Sequence, residues 1–215
     1  MMEEFDKRKY KKHLIVAIVA LSLLIVGVTY AAANIIILSE TNTITTGTVT
    51  AQMLESSDSI NITNAFPMSD SQGVNLTHQD GSSGVFDFEV TTHASGAPGN
   101  IAYDLSIIKD SVDSGYTAFA DNQIKVYLVS YTGSGTLANE TQVVAPTLVS
   151  NIITSGTTGY LKQNIVNSHS TANRTVTTKY RLKVWVNSTV DASNWTSSTK
   201  LQYKLRIKAN VRASV

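Results

Sequence analysis

The chain has 215 residues, 42% of them hydrophobic, enough for the core of one domain or of one domain with an appendage. Only 15% are charged, and a formal net charge of +1 excludes the strongly basic surface of a general nucleic-acid binder. There is no cysteine, which excludes disulfides, thiolate zinc sites and cysteine nucleophiles and leaves core burial, sheet pairing or assembly to hold the fold.

At the N-terminus, Lys7, Arg8, Lys9, Lys11, Lys12 and His13 form a basic collar, and residues 14–33 after it carry no charge. That run has about the length of a membrane-crossing helix. A basic flank ahead of it predicts an N-terminus in the cytoplasm and the remainder outside. The run tapers to small residues, and Ala31 and Ala33 stand at the spacing a signal peptidase reads, with Asn34 beginning the product. Two readings are open: a cleaved signal peptide, or a retained anchor. A buried core helix would leave the collar unexplained. The predicted organisation is a signal or anchor over 1–33, an N-terminal segment over 34–42, and an extracellular domain over 43–215. Ile35, Ile36, Ile37 and Leu38 would then lie at or near the new N-terminus.

After residue 40 the dominant signal is alternation with a period of two, the mark of half-buried strands. Phe86, Phe88 and Val90 alternate with Asp87 and Glu89. Ile101, Tyr103, Leu105 and Ile107 share one face, as do Ile124, Val126 and Leu128. Tyr180, Leu182, Val184 and Val186 alternate with Lys179, Arg181, Lys183 and Trp185. Leu201, Tyr203, Leu205, Ile207, Ala209 and Val211 alternate with Lys200, Lys204, Arg206, Lys208 and Arg212. Abundant Thr, Ser and Asn suit strands and loops better than helix interiors. Gly-, Ser- and Asn-rich stretches at 81–84, 95–100 and 133–139 separate the runs, and no window shows a long amphipathic helix. The expectation is an all-β, jelly-roll-like β-sandwich of eight to ten strands, preceded by the N-terminal signal or transmembrane helix.

Charge is unevenly divided. Residues 34–140 hold twelve acids against two lysines, and residues 141–215 hold ten Lys or Arg against the single acid Asp191. Acidic and basic strands could pair inside one sandwich, each pair contributing a few tenths of a kcal/mol. Alternatively, opposed faces could meet head-to-tail between subunits.

No catalytic, cofactor or metal site is expected. His78, His93 and His169 have no i, i+4 partner, and there is no G-x-S-x-G elbow, P-loop or dinucleotide-binding glycine motif. Asp87 and Glu89 read as a solvated strand face, and Asp70 and Asp80 match no EF-hand spacing. Asn-x-Ser/Thr sequons make Asn61, Asn75, Asn139, Asn173, Asn187 and Asn194 candidate glycan acceptors in an exported chain.

Three stretches resemble the TasA/camelysin family of exported filament-forming and surface proteins, whose signal peptides are of the type processed by SipW-like peptidases. The apolar run ends in Gly27-Val28-Thr29-Tyr30-Ala31, and Thr41-Asn42-Thr43-Ile44-Thr45-Thr46-Gly47-Thr48-Val49 follows, similar to that family's first strand. Asn64-Ala65-Phe66-Pro67-Met68-Ser69-Asp70, with Gly73, precedes the strand at 86–90. Tyr180-Arg181-Leu182-Lys183-Val184-Trp185-Val186 and the closing strand at 201–213 resemble the family's C-terminal strand pair. The aromatic-rich segment usual after cleavage is replaced here by residues 34–38. The resemblance implies subunits joined by donor-strand exchange, with Ile35, Ile36, Ile37 and Leu38 as the assembly strand.

The leading expectation is a structural subunit of an extracellular filament or cell-surface matrix. Its partners would be copies of itself, other surface or matrix proteins, and the membrane through residues 14–33, with no nucleic acid. The alternative is a membrane-anchored surface binding module, such as an adhesin or carbohydrate-binding domain.

Overall fold

The computed structural model describes residues 60–63, 65–77, 84–94, 99–133, 135–170, 174–193, 195 and 199–211, and the backbone alone of strands at 35–37, 44–46, 49–55 and 212–214. The chain divides into two compact units, residues 1–35 and 36–215, and the fold below is that of the second. The signal or anchor segment lies outside the described residues. Among the described residues, no helix is long and apolar enough to cross a membrane.

Two sheets face each other. Sheet I has the order β1 (Ile35–Ile37), β13 (Leu201–Ser214), β7 (Gly99–Asp110), β11 (Thr158–His169), and β4 (Ile60–Thr63) and β8 (Thr117–Ala118) also pair with β13. Sheet II has the order β10 (Glu140–Leu148), β9 (Ile124–Tyr131), β12 (Arg174–Asn187), β6 (Val85–Ala94), β3 (Val49–Glu55), β2 (Ile44–Thr46), and β5 (Pro67–Met68) pairs with β12. The long neighbours are antiparallel, which lets each sheet keep one apolar and one polar face. Thirteen strands appear among the described residues where eight to ten were expected. The surplus consists of two- to four-residue pieces, too short to register as alternation.

The predicted faces are the core. Phe88, Leu182, Val184, Leu205 and Ile207 are buried, as are Ile101, Tyr103, Leu105, Ile107, Ile124, Val126 and Leu128. A strand places every second side chain on one face, so each run buries one complete set. Burying side chains of this kind is worth roughly 1.5–3 kcal/mol each.

The sheets also meet through polar groups. The Tyr103 hydroxyl of β7 lies 2.6 Å from the Tyr180 hydroxyl of β12. Thr92 of β6 accepts a 2.9 Å hydrogen bond from the Asn167 carboxamide of β11, and His169 lies against the same threonine. Desolvation pushes the Tyr103 hydroxyl above the ordinary phenol value and the Tyr180 hydroxyl well above it. Such a seam is favourable only when its members are satisfied, and it fixes the register of one sheet over the other.

Edge strands β10 and β11 are both irregular. Register shifts fall between Gln142 and Val144 and between Val144 and Thr147 in β10, which also carries Pro146. In β11 they fall on either side of Lys162. Asn164 adopts φ 55°, and its N–H turns aside to the Asp104 carboxylate at 2.8 Å. Bulges, proline and lysine on an edge discourage pairing with foreign strands.

Candidate functional site

The outward side of sheet II is a second, partly covered layer. Ser69 caps helix α1 (Asp70–Gly73) and the Gln72 side-chain oxygen accepts from the Ser69 N–H, a capping box written in the sequence as S-x-x-Q. The helix and the residues after it lie over β12, where Leu76, Val85 and Trp185 form an apolar cluster flanked by Met68, Val74 and Tyr127. A Cβ on Gly73 would come within 2.3 Å of the Trp185 ring, so only glycine admits the helix this close.

Beside this cluster lies a charged network. The Arg181 guanidinium grips Asp87 in bidentate fashion, Nε to Oδ1 at 2.7 Å and Nη2 to Oδ2 at 2.9 Å. Its Nη1 donates to the Gly135 carbonyl at 2.6 Å and to Glu140 at 3.0 Å. Lys183, fully buried, donates to the other Glu140 oxygen and to the Val74 carbonyl, both at 2.7 Å. Tyr131 and Tyr127 lie beneath the two cations, with centroids 5.0 Å from the Arg181 Cζ and 5.8 Å from the Lys183 Nζ. Hydrogen bonding to Asp87 raises the Arg181 pKa still further above its ordinary value, keeping it charged at every pH of interest. Asp87 is therefore not the solvated carboxylate its alternation suggests. Arg181, tied to Gly135 and Glu140, and the Tyr131 hydroxyl hold it, and a signal was present: Trp185 stands at an outward position, where only a second layer can bury it.

Along β12 the cover then thins. Lys179 pairs with Glu89 at 3.3 Å, and the last rungs are Thr91 with Thr177 at 2.8 Å and His93 with Thr175 at 3.0 Å. On sheet I, Arg206 holds Asp110 through two 2.7 Å bonds and Lys204 reaches Asp113 at 2.9 Å. Hydrogen bonds from Gln202 and Lys204 hold the Asp113 carboxyl below its usual range. Of eight ion pairs among the described residues, six join the acidic half of the sequence to the basic half. The charge division is used within one chain, partly by pairing across neighbouring strands and partly through Glu140 and Asp113. Among the described residues, no three His, Cys, Asp or Glu side chains gather as metal ligands would; Asp70 is paired with Lys125 at 2.8 Å, and Asp80 lies outside the described residues.

One end of the sandwich exposes aromatic rings. Phe66, 70% exposed, packs on Trp195 with ring centroids 6.1 Å apart, and Trp195 packs on buried Phe119 at 5.8 Å. The Phe119 N–H is fixed by the Gln202 carbonyl at 3.0 Å, so the stack is built up from β13 outward. Trp195 sits in a connection (188–200) composed largely of Ser, Thr, Asn and Asp. The sequence reading missed this stack, because its three rings come from separate connections and share no periodicity.

Of the predicted assembly residues, Ile35, Ile36 and Ile37 form β1 beside β13, on the edge away from β7. Leu38 and the cleavage residues Ala31, Ala33 and Asn34 lie outside the described residues, as do the sequon asparagines Asn173 and Asn194. The other four acceptors are not brought together. Asn61 is half-buried in β4, Asn75 is exposed after α1, Asn139 is exposed ahead of β10, and Asn187 is buried at the end of β12.

No protein-family model and no curated protein matches the chain. Among solved structures, it is similar to the VP2 subviral particle of infectious bursal disease virus at 10% identity and a TM-score of 0.35, over 77% of this chain and 32% of that one. It is also similar to TmCBM61, solved in complex with beta-1,4-galactotriose, at 8% identity and a TM-score of 0.28, over 76% of this chain and 88% of that one. A third is the adhesin domain of Epf from Streptococcus pyogenes, at 10% identity and a TM-score of 0.21, over 78% of this chain and 45% of that one. The chain thus spans about a third of the VP2 chain's length. At this level of similarity, function has to be read from the chain's own residues.

Proposed function

We propose that the chain is a non-catalytic module carried outside the cell by its N-terminal segment, where it binds a surface carbohydrate polymer through the Phe66–Trp195 end. The observation that carries this reading is the Phe66 ring, 70% exposed yet fixed on Trp195, over a buried Phe119. An aromatic ring kept in water at a cost in free energy, and held rigid from below, offers an apolar face on which the C–H face of a sugar ring can stack. The basic collar and uncharged run at 14–33 support delivery to the extracellular side or the cell surface. The test is cosedimentation of the exported chain with insoluble polysaccharide from its own cells. Phe66→Ala, at an exposed position, should preserve the fold and cut retention at least tenfold. Retention equal to the parent would overturn the reading.

A second reading is a subunit of a homopolymer or surface matrix assembled by donor-strand exchange, on a jelly-roll sandwich related to the TasA/camelysin proteins. What supports it is the strand formed by Ile35–Ile37 beside β13. In an assembly the same segment of a neighbouring subunit would take that place, its alternate side chains filling the acceptor. Replacing Ile35 and Ile37 with Asp should leave an exported chain that no longer polymerises, as seen by electron microscopy and sedimentation. Normal filaments from the double mutant would reject this reading. N-terminal sequencing of the native material separates the two: a start near Asn34 favours the filament, and retention of 14–33 favours the anchored module.

A further inference from the structure

We infer that Asn139 is the site of an N-linked glycan, alone among the sequon asparagines whose surroundings are described. The inference rests on the export proposed above, and the four sites differ in what their side chains already do. Asn61 is half-buried in β4 opposite Lys204, and its Oδ1 accepts the hydroxyl of Thr63, the third residue of its own sequon, at 3.3 Å. Asn187 is only 7% exposed, and its Nδ2 donates to the sequon hydroxyl of Thr189 at 2.7 Å. Asn75 is exposed, but its Nδ2 donates to the Ser71 carbonyl at 2.8 Å and Thr77 is half-buried.

Asn139 is held differently. It closes a single 3-10 turn (Leu137–Asn139), and its backbone N–H is fixed by the Thr136 carbonyl at 2.9 Å. Its side chain is exposed, as is that of Thr141, and neither has a hydrogen-bond partner among the described residues. Between them Glu140 turns inward to Arg181 and Lys183. The alternation at the start of β10 therefore presents the acceptor amide and the sequon hydroxyl on the outside while the intervening residue anchors the turn. An addition at Asn139 would disturb no bond of the network beneath it, and would set a hydrophilic group at the head of edge strand β10.

The co-reactant is a lipid-linked oligosaccharide. The Asn139 amide nitrogen forms a bond to the anomeric carbon, the bond from that carbon to the phosphate oxygen breaks, one amide proton leaves to base, and the lipid phosphate departs with the electron pair. No oxidant or reductant is needed. The Thr141 hydroxyl is the recognition element.

The protein is purified from the outside of its own cells and the peptide spanning Asn139 is weighed and fragmented by mass spectrometry. A sugar-sized increment should sit on Asn139, vanish in Asn139→Gln and in Thr141→Ala, and persist in Thr141→Ser and in Asn75→Gln. An exported chain with unmodified Asn139, or an increment that survives Thr141→Ala, overturns the assignment and leaves export standing. A chain retained inside the cell and unmodified overturns both.

Discussion

Strand β12 presents Lys179, Arg181 and Lys183 at alternate outward positions, and β13 presents Lys204, Arg206 and Lys208. On β12 the central cations are sealed, with Arg181 at 7% side-chain exposure and Lys183 at 0%, bonded to carboxylates and backbone carbonyls brought by two separate connections. On β13 the Arg206 side chain is 36% exposed and pairs with Asp110 of the neighbouring strand β7. The two patterns are almost interchangeable as text. What separates them is what lies on top, and the cover is drawn from residues 69–77 and 135–140, far from β12 in sequence. A buried ion pair is costly to assemble and more costly to leave half-made, whereas an exposed pair is nearly neutral. Removing matching carboxylates on the two faces should therefore give very unequal results.

The largest effect is expected from Glu140→Ala. Among the described residues it strips Lys183 of its one carboxylate and Arg181 of one of two, leaving a buried ammonium with the Val74 carbonyl and the Tyr127 ring. Breaking a buried pair on one side costs about 3–5 kcal/mol. Urea unfolding should show the stability in water falling by that amount through a lower midpoint, with the slope unchanged. A loss below 1 kcal/mol would mean that water reaches Lys183 and that the cover is not a layer at all.

Next is the fit of the cover itself. Gly73→Ala places a methyl 2.3 Å from the Trp185 ring, which cannot withdraw because Val85 and Leu76 hold it. Overpacking of this kind costs roughly 1–3 kcal/mol. Trp185 fluorescence should shift to longer wavelength as α1 lifts and admits water, and an unshifted spectrum with unchanged stability would contradict the packing described.

The inward faces of both strands were readable from alternation alone, because a side chain's face within a strand is a local property. Leu182 and Val184, like Leu205 and Ile207, are buried where the period of two places them. The outward faces were not, because coverage depends on connections that carry no period. Asp87 was read as solvated for that reason, although Trp185 two rungs along already implied a lid. The capping box at Ser69 and Gln72 was equally present in the sequence, but it spans only one turn of helix. The aromatic end was invisible: Phe66, Phe119 and Trp195 are brought together by the ends of strands, and only the completed sandwich sets them side by side. Sequons were legible as motifs, while their accessibility was not, since Asn139 and Asn187 differ only in which side of a strand end they fall on.

The seam between the sheets offers an intermediate effect common to both. Tyr103→Phe removes the 2.6 Å contact with Tyr180, and the loss should be about 0.5–1.5 kcal/mol. The pH dependence follows from the same burial. Folded-state values of Tyr103, Tyr180 and Tyr203 are raised above the unfolded value of about 10. The protonated phenol is thus favoured by the fold, and its contribution is complete below pH ~10 and lost as the pH climbs beyond it. Unfolding midpoints should fall steeply above pH ~10 in the parent and less steeply in the Tyr103→Phe, Tyr180→Phe double mutant.

The smallest effect is the counterpart of the first, and the comparison depends on it. Asp110→Ala deletes a bidentate partner of Arg206 held at 2.7 Å by both bonds, no longer than the 2.7 and 2.9 Å that Arg181 makes to Asp87. Bond lengths alone would therefore predict a similar penalty. The Arg206 guanidinium, however, remains in reach of water once its partner is gone, so no desolvated charge is stranded. Double-mutant measurements on such exposed pairs give about 0.2–1 kcal/mol, and that is the loss expected here. It should also shrink with salt, since at ~1 M the Debye length falls to about 3 Å and screens the pair. The Glu140→Ala penalty should persist at the same salt, because ions do not enter the layer between α1 and β12. Equal penalties for the two substitutions, or equal salt sensitivity, would show that geometry rather than cover sets the energetics of these two strands.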